Sequence, residues 1–87
     1  MRTPLIAGNW KMNKTVPESL ELIRAIREKV GAGCSSEVVV IPPFTSLFSV
    51  QEALRGSDLK LGAQNLSQSP QGALTGEVSG AMLISAG

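Results

Sequence analysis

Glu37-Val38-Val39-Val40-Ile41 constrains this chain more than any other stretch. Four β-branched apolar residues in a row fit a pleated strand and leave no face for water. A strand hydrophobic on both sides belongs inside a parallel sheet, covered above and below. Pro42-Pro43 stops it, because proline cannot donate to a ladder.

The flanking segments read as units of the same kind. Pro4 to Gly8 forms a first strand, and a helix follows from about Pro17 to Val30. Thr15 is placed to cap that helix, Pro17 suits its first turn, and Glu18 favours its positive end. Leu20, Ile23, Ile26 and Val30 recur at helical spacing, with Leu22 beside them. Glu21, Arg24, Arg27 and Glu28 make the wet face, so Glu18, Glu21 and Glu28 read as surface charges. Gly31 and Gly33 end the helix. A second helix runs from about Ser46 to Arg55 with the stripe Leu47, Val50 and Leu54, and Gly56 terminates it. The third strand is Lys60 to Gln64. A polar loop spans Asn65 to Glu77, and Ser79 caps a short last helix holding Met82-Leu83-Ile84 and ending at Gly87. The order β-α-β-α-β-loop-α predicts an α/β fold of parallel strands joined by right-handed crossovers. Three such strands leave two open, apolar edges, which invite aggregation. The pattern therefore reads as the opening arc of a larger closed sheet.

Composition removes whole classes of function. The chain has 87 residues, 43% hydrophobic and 17% charged, which suits one small globular domain of marginal stability. Net charge is +1 and aromatics are 3%, so neither a basic stripe nor a stacking platform exists for nucleic acid. No apolar run approaches the length of a membrane span, and Met1-Arg2-Thr3-Pro4 lacks the apolar stretch of a signal peptide. Cys34 is the only cysteine, which excludes an internal disulfide and favours a cytoplasmic setting. With no histidine, the commonest general acid or base is missing from these residues.

The candidate site is Gly8-Asn9-Trp10-Lys11-Met12-Asn13, directly after the first strand. In parallel α/β proteins ligands bind at the carboxyl ends of strands. Asn9 and Lys11 are two apart, so on an extended segment they point to one side. An ammonium beside an amide suits a small anion, a phosphate or an enolate-like oxygen. Taken alone, Lys11 would be a solvated loop lysine and Asn9 a turn residue. A rival reading starts from the near match of Gly8 to Thr15 with G-x-x-x-x-G-K-[ST], the phosphate-cradling loop of nucleotide-binding proteins. Asn13 stands where the second glycine is needed, Pro17 starts the helix too late, and no acidic residue follows the second strand.

Four motifs carry a family resemblance: Gly8-Asn9-Trp10-Lys11-Met12-Asn13, Pro42-Pro43-Phe44-Thr45, Gly62-Ala63-Gln64-Asn65 and Gly72-Ala73-Leu74-Thr75-Gly76-Glu77. In order and separation they resemble the start of triosephosphate isomerase. That resemblance implies a (β/α)₈ barrel of about 250 residues, the fold to which this family gives its name. Residues 1–87 would be an incomplete barrel domain with strands one to three and their helices. They would stop before the strand carrying the catalytic histidine, with the glutamate base, the closing loop and the phosphate loops further on. The implied reaction interconverts dihydroxyacetone phosphate and glyceraldehyde 3-phosphate in glycolysis and gluconeogenesis, with no metal and no organic cofactor. Lys11 and Asn9 match the family's catalytic and substrate-binding lysine and asparagine; Trp10 between them counts with the substrate-binding residues by the same resemblance and is expected to pack inward. Gln64 and Asn65 match residues of the site floor. Thr75, Gly76 and Glu77 match the loop that enters the partner subunit of a homodimer, where Thr75 would steady the partner's lysine and asparagine. The loop tip Ser67-Gln68-Ser69-Pro70-Gln71 lacks the acidic residues often found there. A non-catalytic half-barrel remains the other reading, because these residues encode no acid/base pair.

Overall fold

The computed structural model describes residues 2–30 and 33–87. Its elements are β1 (Leu5–Asn9), α1 (Val16–Val30), β2 (Glu37–Ile41), α2 (Phe44–Ala53), β3 (Lys60–Leu61) and α3 (Gly80–Ser85). The strands form one parallel sheet in the order β1-β2-β3. The run of four β-branched residues is the central strand, as its composition requires. Leu5 faces Glu37 and Asn9 faces Ile41 in the register, so both strands end level at the carboxyl side.

Helices α1 and α2 pack on one face. Val40 meets Ile23 of α1 and Val50 of α2, with Leu54 just beyond, and Trp10, Ile26, Ala53, Leu59 and Leu61 close around them. Alternation puts Ala7, Asn9, Val39 and Ile41 on the other face, which no helix covers. Every residue of β1 is exposed, Leu5 and Ile6 included. The radius of gyration is 13.9 Å, wider than the roughly 12 Å of a compact chain this long. The shape is an open slab rather than a closed core.

α1 starts on a reciprocal cap. The Thr15 N–H donates to the Glu18 carboxylate at 2.9 Å, and the Glu18 N–H donates to the Thr15 hydroxyl at 3.4 Å. The Thr15 backbone donor, then its hydroxyl, holds the Glu18 carboxyl below its usual range. Gly31 lies outside the described residues, while Gly33 has φ +81, where a left-handed residue is needed.

Several element boundaries differ from the sequence reading, most clearly those of β1, α2 and β3; α2 also ends at Ala53 rather than Arg55. β1 lies at Leu5–Asn9 rather than 4–8, because its ladder runs on to Ile41. α2 begins at Phe44, two residues before the expected Ser46. Pro43 fills its cap position with φ −59 and ψ 155 and no side-chain bond, so no capping residue announces the start. β3 is Lys60–Leu61 instead of 60–64. Gly62 still donates to the Val40 carbonyl at 2.9 Å, but Ala63 and Gln64 then leave the ladder. At Gly62 a Cβ would come within 3.1 Å of Ile41, which explains a glycine at this close approach. Ser79 caps α3 as expected, accepting from the Met82 N–H at 3.3 Å.

The helices are also pinned by a buried hydroxyl pair. The Ser19 hydroxyl lies 2.7 Å from the Thr15 carbonyl and 3.0 Å from the Ser46 hydroxyl, and both serines have no exposure. One hydroxyl carries one proton, so Ser19 donates to the carbonyl and accepts from Ser46. Ser19→Ala should therefore cost about 1–3 kcal/mol, since it orphans the Ser46 hydroxyl. Ser46→Ala leaves Ser19 satisfied and should cost less. The double variant should be more stable than Ser19→Ala alone, which a double-mutant cycle in urea will read. A double variant as weak as the sum of the singles would show that the hydroxyls are not coupled.

Candidate active site

The carboxyl end of the sheet is tied together by side-chain amides. The Trp10 N–H donates to the Ile41 carbonyl at 3.0 Å and carries the β1–β2 ladder one residue further. Its indole packs against the core cluster, so this residue joins site and core. At Lys11 the chain turns sharply, with φ 55, a left-handed conformation that side chains other than glycine avoid. The extended segment assumed for Asn9 and Lys11 therefore ends at Asn9. They are neighbours for another reason: the Asn9 Oδ1 accepts from the Lys11 N–H at 2.9 Å. With that oxygen occupied, the Asn9 amide directs its two N–H donors elsewhere, free for a ligand oxygen.

Gln64 closes the arrangement from the segment just beyond β3. Its Nε2 donates to the Lys11 carbonyl at 2.9 Å and to the Ile41 carbonyl at 3.0 Å. Asn13 adds a bond that sequence patterns missed, donating to the Trp10 carbonyl at 2.7 Å. An asparagine a few residues past a strand is the kind of residue that folds a loop in this way. Ion pairs among the described residues join Arg55 with Glu52 and Lys60 with Glu37, so the exposed Lys11 ammonium is uncommitted. An unpaired cation beside oriented amide donors, at the open ends of parallel strands, is equipped to hold an anionic oxygen.

The other predicted residues lie in the loop before α3. Asn65 donates to the Glu77 carboxylate at 3.4 Å, and its Oδ1 accepts from the Leu66 N–H at 2.8 Å. The Glu77 N–H donates to the Leu74 carbonyl at 3.0 Å, and Gly76 has φ +87. Those values fit a type II turn with Thr75-Gly76 at its tip, where the third position demands a positive φ. Thr75, Gly76 and Glu77 are all exposed.

The nucleotide-binding reading finds no support in the geometry. Thr15, needed on a helix by the nucleotide-binding reading, instead precedes α1 and spends its hydroxyl on the cap. A cavity of about 520 Å³ lies away from the strand ends, lined by Leu20, Ile23, Arg24, Arg27, Glu28 and Ala53. Its Arg27 guanidinium is committed to the Ala53 and Arg55 carbonyls, at 2.9 and 3.3 Å. No helix among the described residues is long and apolar enough to cross a membrane.

The family model for triosephosphate isomerase matches residues 4–87. The chain belongs to the triosephosphate isomerase family. The triosephosphate isomerase of Symbiobacterium thermophilum is 49% identical over 87 residues, covering 100% of this chain and 34% of its own. Those of Pelobacter propionicus and Chloroflexus aurantiacus are 53% and 52% identical over 87 residues, each covering 100% of this chain and 35% of its own. The chain thus spans about a third of the length of the curated relatives it matches. Its parallel sheet with alternating helices is consistent with the N-terminal βα units of a triosephosphate isomerase barrel. The amide-bound knot around Lys11 lies at the strand ends where barrels of this type carry their sites.

Proposed function

We propose that this chain is the N-terminal third of a cytoplasmic triosephosphate isomerase. The complete protein would interconvert dihydroxyacetone phosphate and D-glyceraldehyde 3-phosphate by proton transfer through an enediolate. The observation that carries this reading is the uncommitted Lys11 ammonium beside the oriented Asn9 amide, inside the family's own motif. The lysine charge offsets the substrate phosphate and the oxyanion that develops on the enediolate. The Asn9 N–H donors hold a substrate oxygen beside it. Gln64 and Asn65 form the floor below. The exposed Thr75-Gly76 turn and Glu77 supply the surface through which two copies pair, Thr75 reaching the partner's lysine and asparagine.

Proton transfer itself needs a base and an electrophile, and the family resemblance puts both, a glutamate and a histidine, beyond residues 1–87, which include no histidine. A purified polypeptide of these residues should show no isomerisation in a coupled assay. Supplying the remaining barrel, in cis or as a second polypeptide, should bring activity. Turnover by residues 1–87 alone, abolished by Lys11→Ala, would sink the division of labour proposed here. No turnover by the complete chain would sink the isomerase reading and leave the non-catalytic half-barrel.

A further inference from the structure

We propose that Gln64 is a positioning residue that sets the backbone of Lys11, and through it the direction of the ammonium. The inference rests on the isomerase reading above. Lys11 adopts φ 55, and for residues other than glycine the left-handed region costs about 1–2 kcal/mol. Such a conformation persists only where the surroundings over-determine it. Here both polar atoms of the Lys11 backbone are held by side chains from different strand ends. Its N–H is held by Asn9 at the end of β1, and its carbonyl by Gln64 beyond β3.

The two holds differ in kind. Asn9 lies two residues away and moves with the turn it stabilises. Gln64 is 53 residues distant in sequence and is referenced to the sheet, because the same Nε2 also bonds the Ile41 carbonyl. That carbonyl in turn accepts the Trp10 N–H. Gln64 therefore registers the Lys11 turn against the ends of β1 and β2 together. Without it, Lys11 can relax to negative φ, and reversing the sign of φ swings the Cα–Cβ bond away from its present course. The ammonium sits at the end of a four-carbon stem, so a change at Cβ becomes a displacement of ångströms at Nζ. Misplacement by about 1 Å is enough to cost on the order of 100-fold in rate. Gln64 does not need to touch the substrate for any of this.

The test uses the complete isomerase that carries these residues. Gln64→Leu keeps the volume and removes the donor. It is expected to lower kcat/KM by about 100-fold, with KM for dihydroxyacetone phosphate raised about tenfold, since Lys11 serves both phosphate binding and the transition state. A role confined to stability would lower the melting temperature or the active fraction and leave KM where it was, and that outcome overturns the proposal. Gln64→Asn keeps an amide but draws it back by one methylene. It should show the same rise in KM in a form that folds even if the leucine variant does not, and a wild-type KM in it also overturns the proposal. Wild-type and Lys11→Ala controls separate the two readings. An inactive wild type refutes the isomerase assignment. An active wild type, a dead Lys11→Ala and an unaffected Gln64→Leu refute the positioning role alone.

Discussion

Lys11→Ala in the complete isomerase should lower kcat/KM by about 100- to 1,000-fold while leaving the fold intact. The size follows from removing one preorganised electrostatic partner of a developing oxyanion. The intact fold follows from position: the side chain is exposed and in no ion pair, so its loss opens no cavity and orphans no buried group. Alanine keeps the strain at φ 55, whereas glycine relieves it. Lys11→Gly should therefore be as inactive as Lys11→Ala but slightly more stable, which would show the lysine held in a costly conformation for function rather than for folding. Arginine should rescue poorly, because a planar fork on a longer stem does not reproduce a compact ammonium. Steady-state kinetics beside circular-dichroism melts will read all three. A loss of less than tenfold in Lys11→Ala would mean that the ammonium faces solvent in the working enzyme and would remove the central residue of the proposed site.

The legible parts of this chain were those written in local physics. Glu37–Ile41 matched its expected bounds because four β-branched apolar residues favour a pleated strand, although the expected cover on both faces is missing: only Val40 is buried, on the face that the helices cover. Thr15 and Ser79 marked helix starts because hydroxyls satisfy free N–H donors there. The stripe Leu47, Val50 and Leu54 is buried as read. Harder to read were features set by partners distant in sequence or by backbone with no side-chain signal. The start of α2 hid behind Pro42-Pro43, since a proline at the cap position offers no acceptor. The early end of β3 follows from Gln64 turning toward the carbonyls of Lys11, in the turn after β1, and of Ile41 in β2, and nothing within Lys60 to Gln64 announces that. The left-handed turn at Lys11 was invisible for the same reason: lysine is a poor choice for φ 55, and only the bonds from Asn9 and Gln64 make it tenable. The residues of the candidate site could be named from their motif, but the means of holding them needed three strand ends in one place.

Ile23→Ala should be the most damaging conservative change to the stability of residues 1–87. Ile23 is 1% exposed and meets Val40, Val50 and Leu54, so it touches the sheet and the second helix at once. Truncating a buried isoleucine costs about 2–5 kcal/mol, the upper part where the site cannot collapse. A chain of this length has about 4–13 kcal/mol in total, so the loss is a large share of it. Ile6→Ala is the contrast: Ile6 is 57% exposed on a strand that nothing covers, and its truncation should cost under about 1 kcal/mol in the same polypeptide. Urea titrations followed by fluorescence will separate them, because Trp10 is the sole tryptophan and packs on the Ile23 cluster. The same contact extends the effect to chemistry. Trp10 carries the N–H that bonds Ile41 and immediately precedes Lys11, so a cavity beneath its ring loosens the frame from which the lysine turn is hung. In the complete enzyme Ile23→Ala should therefore raise KM as well as lower the melting point. Equal urea midpoints for Ile23→Ala and Ile6→Ala would show that the packed face described here does not hold the isolated arc together.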